Sequence, residues 1–222
     1  AGLAFGGANP PSAELALTEE WTGAGAPIGV WSTGGNLNQD RYGMSASGTV
    51  TASIAFGGRI SPPNAFSALN EQYDGTSWTE VNDLNTGRGF MGSTTGPYTA
   101  VLGMGGNVPP ATTKVESWNG TNWTEITALN NAKSNVAGCG TTTAALATGG
   151  SGGGNTNEIW NGSNWTEVND LNTPRNGVGP NSSGTSTATL VAGGEQPASP
   201  YALYANSELW NGTNWTEVND LN

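Results

Sequence analysis

Apolar residues come in short bursts along this chain, and each burst is stopped in the same way. The runs L-A-F, S-I-A-F, V-L-G-M, A-L-A-T and L-V-A run up to the glycine pairs Gly6-Gly7, Gly57-Gly58, Gly105-Gly106, Gly149-Gly150 and Gly193-Gly194. An apolar run of about five residues halted by two glycines predicts a buried strand that ends in a sharp bend. A second segment follows, ending in E-x-aromatic: Glu19–Trp21, Glu71–Tyr73, Glu116–Trp118, Glu158–Trp160 and Glu208–Trp210. Next comes a turn. Asp74-Gly75, Asn119-Gly120, Asn161-Gly162 and Asn211-Gly212 predict tight hairpins, because both residue types tolerate positive φ. The strand after the turn reads W-T-E-V/I, with Leu84, Leu129, Leu171 and Leu221 six residues beyond its tryptophan. Finally a basic residue stands ten positions after the second aromatic, at Arg41, Arg88, Lys133 and Arg175.

These features recur five times. All nine tryptophans and one tyrosine fall into the pairs Trp21/Trp31, Tyr73/Trp78, Trp118/Trp123, Trp160/Trp165 and Trp210/Trp215. The second aromatics run from Trp31 to Trp215, so (215 − 31)/4 gives a mean period of 46 residues. A period of this kind is one supersecondary unit copied along the chain, each copy needing its neighbours to bury its apolar surface. The Gly/Ser/Thr stretch after each basic residue has room for one more short strand. Four strands per unit in meander order predict an all-β fold, a five-bladed β-propeller occupying residues 1–222 as one domain.

The order apolar-GG, E-x-aromatic, Trp, Arg is similar to the kelch repeat, over essentially the whole chain. That resemblance implies four-stranded blades in which GG closes the second strand and the tryptophan opens the fourth. Five units depart from the six or seven usual for kelch propellers. Near-verbatim copies such as W-N-G-S-N-W-T-E-V-N-D-L-N-T (160–173) also resemble kelch-like repeats in virion proteins of marine bacteriophages. The chain starts at a second strand and stops three residues short of the next basic position, so one blade is expected to be split between the termini or incomplete. Opening at Ala1 without Met, it reads as processed or as part of something longer.

Composition narrows the function. Glycine is abundant (35 residues), only 10% of residues are charged, and the formal charge is −11. An acidic chain repels phosphate backbones and anionic lipid, so neither nucleic acid nor membrane insertion is expected. With no histidine and a single cysteine, Cys139, no Ser-His-Asp triad, Cys-His pair or conventional zinc or copper site can be assembled. No phosphate loop is present. We expect no cofactor, no metal and no catalytic residues.

The repeated residues have competing readings. The aromatic pairs are sugar-stacking platforms or wedges between blades. The carboxylates Glu80, Glu125, Glu167 and Glu217 sit in near-identical environments, whereas acid/base catalysis needs two different ones, so a structural role is expected. The sequons at Asn119, Asn122, Asn161, Asn164, Asn211 and Asn214 follow from turn chemistry. Arg41, Arg88, Lys133 and Arg175 are expected in a ring near one mouth of the channel, holding either an anionic ligand or neighbouring carboxylates and carbonyls.

Length varies most between GG and the first aromatic, where the steps from the second glycine are 14, 15, 12, 10 and 16 residues. Loops that vary on a fixed scaffold are where recognition resides. These loops carry Phe66, Tyr201 and Tyr204, which join the basic series as candidate ligand-binding residues. The sequence thus points to a non-enzymatic structural or interaction module, a virion or appendage surface protein contacting other subunits or a host-surface glycan. A soluble extracellular lectin is the alternative.

Overall fold

The computed structural model of the chain describes residues 2–5, 8–9, 13–14, 16–22, 30–152, 154–177, 183–196 and 202–221. Gly6, Gly7, residues 23–29 of the long segment between Trp21 and Trp31, and Tyr201 lie outside the described residues. The fold is an all-β propeller of five antiparallel meander blades. Blade 1 holds three strands, Gly2–Phe5, Thr18–Thr22 and Val30–Thr33. The other four have four strands each. Blade 2 comprises Ser45–Thr49, Ala52–Phe56, Asn70–Tyr73 and Trp78–Val81, and blade 3 Gly92–Ser93, Val101–Met104, Val115–Trp118 and Trp123–Ile126. Blade 4 comprises Ala137–Thr141, Ala144–Thr148, Asn157–Trp160 and Trp165–Val168, and blade 5 Ser183–Thr185, Ala188–Ala192, Ser207–Trp210 and Trp215–Val218.

The first strands of blades 2 to 5 lie side by side around the axis. Their residues are small because neighbouring backbones converge there. A Cβ on Gly138 would come within 2.6 Å of the Ser93 carbonyl oxygen. Hydroxyls stitch the ring: Ser45 Oγ donates to Met91 O (2.7 Å), and Ser93 Oγ returns a bond to Ala46 O (2.8 Å). In blades 2 to 5 each GG pair follows the second strand with both glycines at positive φ, as at Gly57 (67°) and Gly58 (99°). A side chain there would be strained and would also clash with the next blade, since a Cβ on Gly57 approaches Arg88 O.

Packing between blades repeats as well. Each blade from the second onward turns its aromatic pair toward the blade before it. The face turned the other way carries an aliphatic residue from the second strand and the leucine that follows the fourth. Thus Leu146 and Leu171 of blade 4 bury Trp210 and Trp215 of blade 5, while Leu102 and Leu129 of blade 3 bury Trp160 and Trp165 of blade 4. Between blades 2 and 3, Phe56 lies 4.8 Å from the Trp123 ring, itself paired with Trp118 at 5.5 Å. All the tryptophans from Trp78 to Trp215 are at most 6% exposed. The described pairs are therefore wedges in the core, and a sugar could not stack on them.

The turns differ from the expected tight hairpin. Trp118 pairs with Trp123 across a four-residue loop, 119–122, in which Gly120 takes positive φ (93°) and Asn119 works through its side chain. Asn119 Oδ1 accepts the amides of Thr121 and Asn122 (2.9 and 2.8 Å), and Asp74 Oδ1 does the same for Thr76 and Ser77. The dipeptide marks the turn correctly, but as a side-chain-closed loop.

Candidate functional site

The GG bends, the loops after them and the basic residues all gather at one end of the blades. There the geometry of the basic series repeats closely. Arg41 donates through Nη1 to Gly57 O and Leu69 O (2.8 Å each) and through Nη2 to Glu71 Oε1 (2.6 Å). Arg88 and Arg175 make the same bonds to Gly105, Lys114 and Glu116, and to Gly193, Asn206 and Glu208. Lys133 is the variant: its Nζ donates to Thr156 O and Oγ1 (2.7 Å each) and stands 3.9 Å from Glu158 Oε1. All four cations are fully buried. Burial pulls the Arg41 and Arg88 guanidinium pKa values down against the opposing fields of Glu71 and Glu116, and it brings the Lys133 ammonium to about 8. The charged donors thus point into the blades, so the geometry favours the structural alternative over an anion-holding ring.

The same glutamates tie blade to blade. Glu71 Oε2 accepts both the backbone amide (2.7 Å) and Nδ2 (2.8 Å) of Asn38, which belongs to the preceding blade. Asn85 grips Glu116, Asn130 grips Glu158 and Asn172 grips Glu208 in the same way. The operative motif is therefore Leu-Asn-x-x-Arg/Lys. Its Leu fills the interface, its Asn crosses to the next blade's Glu, and its cation completes that Glu from within the next blade. Sequence reading found the cation, the Glu and most of the leucines. The asparagine, always directly after the leucine, is the member it missed. The second-position carboxylates Glu80, Glu125, Glu167 and Glu217 are exposed; Glu125 pairs with Lys114 Nζ at 2.6 Å.

What faces solvent at this end lies just beyond the cations. The residue two past each cation takes positive φ: Gly43 (62°), Phe90 (57°), Asn135 (53°) and Gly177 (66°). Phe90 N donates to Gly43 O (2.7 Å) and Asn135 N to Phe90 O (2.8 Å), forming a backbone girdle around the axis. The following residues, Met44, Met91 and Val136, complete a cavity of about 190 Å³ at the axial mouth. Glycine or asparagine at three of the four girdle positions was a readable signal, since these residues adopt left-handed backbone most easily. A phenylalanine there is an outlier that its surroundings hold in place, with Tyr42 edge-on at 6.0 Å.

The variable loops surround this mouth. In blades 2 to 5 the residue after GG is bridged to the residue after the cation, at Tyr42–Arg59, Gly89–Asn107, Ser134–Ser151 and Asn176–Glu195. The loop of blade 2 forms a ribbon, Arg59–Ile60 against Ala65–Phe66, with the Arg59 guanidinium 5.3 Å from the Phe66 ring. Phe66 and Tyr204 are half-buried, and Tyr204 stands 5.7 Å from the Arg175 guanidinium, capping that cation from the solvent side. Leu203 beside it is 73% exposed. Two of the expected aromatics and the mouth of the cation ring thus share one end of the molecule.

No protein-family model matches the chain, and a search of curated proteins finds no match. What is established is the class: a repeat-built β-propeller, an architecture that fits an interaction module.

Proposed function

We propose that this chain is a non-enzymatic display scaffold whose contact surface is the loop end around the axial mouth. One observation carries the reading: the repeat varies most in length in the loops after the GG bends, and these lie at the end that also opens the apolar mouth. Such division of labour is how a rigid scaffold presents a recognition surface. The lack of histidine and the near-equivalence of the repeated carboxylates argue against catalysis. The resemblance to kelch-like repeats of marine phage virion proteins gives the setting, a virion or appendage surface protein presenting these loops to a host surface or to neighbouring subunits. Carbohydrate binding in a soluble lectin is the competing outcome of the same experiment.

The test is a binding assay of the intact chain on host-cell envelopes and on a glycan array. It is repeated after the Ser61–Asn64 tip of the blade 2 ribbon is replaced by a two-residue Asn-Gly turn. Retained thermal stability with lost binding supports the loop face. Binding unchanged by the replacement, and unchanged again when Leu203 and Tyr204 are replaced by serine, refutes it. Saturable binding of one free glycan in place of whole envelopes selects the lectin.

A further inference from the structure

The fifth blade breaks the pattern of burial that every other blade obeys. The leucine after the fourth strand is 2–4% exposed at Leu37, Leu84, Leu129 and Leu171, but 55% exposed at Leu221. Ile54, Leu102 and Leu146 are fully buried, whereas Leu190, at the same register opposite the third strand, is 42% exposed. Leu209 and Val218 on the same face are 44% and 38% exposed. These four residues form the face that, in the other blades, receives the next blade's aromatic pair.

The first blade is open on the complementary side. Ala4 and Glu19 pair in register as Ala55 and Glu71 do in blade 2. Ala55 and Glu71 are buried to within 1%, yet Ala4 and Glu19 are both exposed. Trp21 and Trp31 stand opposite one another as the other aromatic pairs do. Among the described residues, one chain therefore carries both halves of an inter-blade contact, and the four clusters that join successive blades leave the two halves apart.

We propose that these faces are a self-association site, with blade 5 of one copy docking head to tail on blade 1 of a second copy. The register of both faces is that of the internal blade contacts, and blade 5 exposes the apolar side chains that those contacts bury, a clustered apolar face of the kind that marks an interface. Such a contact is heterologous, since the two surfaces differ, so each copy retains one free face after pairing.

The experiment is analytical ultracentrifugation of the intact chain over a concentration series. The expected result is a weight-average mass that climbs above the 22.5 kDa of one chain. Leu209→Asp with Leu221→Asp blocks the blade 5 face, and Ala4→Arg blocks the blade 1 face. Each variant alone is expected to be monomeric with an unchanged melting curve. Mixed, they pair through their intact faces and stop at one-to-one dimers. Leu203→Asp, on the loop end, leaves the wild-type mass distribution untouched. A wild-type mass fixed at one chain across the soluble range overturns the proposal. So does dissociation by Leu203→Asp alone, or failure of the mixed variants to pair.

Discussion

Replacing Lys133 by arginine should stabilise the protein and erase part of its pH dependence. In the three arginine blades the cation bonds two carbonyls of its blade through Nη1 and the blade's own glutamate through Nη2 at 2.6–2.9 Å. Lys133 makes two bonds, both to Thr156, and leaves Glu158 at 3.9 Å. An added hydrogen bond between charged groups contributes about 1.5–3 kcal/mol, and losing the bond to the Thr156 hydroxyl costs about 1 kcal/mol. The net gain is about 0.5–2 kcal/mol, which at this chain length raises the melting midpoint by about 2–4 °C per kcal/mol. The pH dependence has a definite sign. The Lys133 pKa lies at about 8 in the folded protein against the usual 10.5, so between these values the unfolded chain holds more protons. Wild-type stability therefore rises with pH across that window, by up to about 3 kcal/mol at 1.4 kcal/mol per unit, and falls back as pH drops through 8. Arginine stays charged throughout, so Lys133→Arg should lack that rise. Denaturant titrations followed by far-UV circular dichroism at pH 7, 8, 9 and 10 measure both effects. A lower midpoint for Lys133→Arg at pH 7, or an undiminished pH slope, refutes the reasoning.

Three further outcomes follow from the same packing. Trp123→Ala should cost about 3–5 kcal/mol, because it removes a wedge packed on Phe56 and Trp118; a near-neutral effect in chemical denaturation contradicts the wedge role. Asn130→Ala removes Nδ2 bonds to Glu158 and the Trp165 carbonyl and should cost about 1–3 kcal/mol, read in the same assay, whereas alanine at exposed Asn164 should be near neutral. Burial, and then its bond to Glu20, raise the Tyr73 hydroxyl to about 12, so the folded state keeps a proton that the unfolded chain releases above about pH 10. Stability should therefore fall between pH 10 and 12 in the wild type, and Tyr73→Phe should flatten that fall in thermal melts.

The fold was legible because its determinants are local and repeated. From blade 2 onward, each GG, each hairpin Asn-Gly or Asp-Gly and each tryptophan sits at the strand end that the spacing assigned to it. What the sequence could not display was direction. Arg41 and Glu71 lie 30 residues apart, and nothing in the linear pattern says whether the guanidinium turns into the blade or out toward the mouth; only the converging Gly57 and Leu69 carbonyls decide it. The asparagine clasp was hidden for a related reason. Asn38, Asn85, Asn130 and Asn172 resemble the many other asparagines of a turn-rich chain until their partner across the blade boundary is known. The girdle of left-handed residues was visible at Gly43, Asn135 and Gly177 and obscured at Phe90. The exposed leucines of blade 5 looked identical to their buried counterparts, because burial there depends on what stands next to the blade.

The four-residue turns carry a consequence for chemical ageing. Asn-Gly is the dipeptide most prone to lose ammonia, since an unhindered glycine amide attacks the asparagine side chain; of the four in the chain, three lie at equivalent turns, Asn119, Asn161 and Asn211, and the other is Asn176. The fourth turn shows what the aspartate product would do, because Asp74 already closes it with the same pair of amide bonds. Conversion to aspartate would thus leave each hairpin closed while adding one negative charge to the outer rim. Conversion to isoaspartate would insert an extra backbone carbon and break the turn. The repeat places its most perishable dipeptide where one of the two products of decay is already in service.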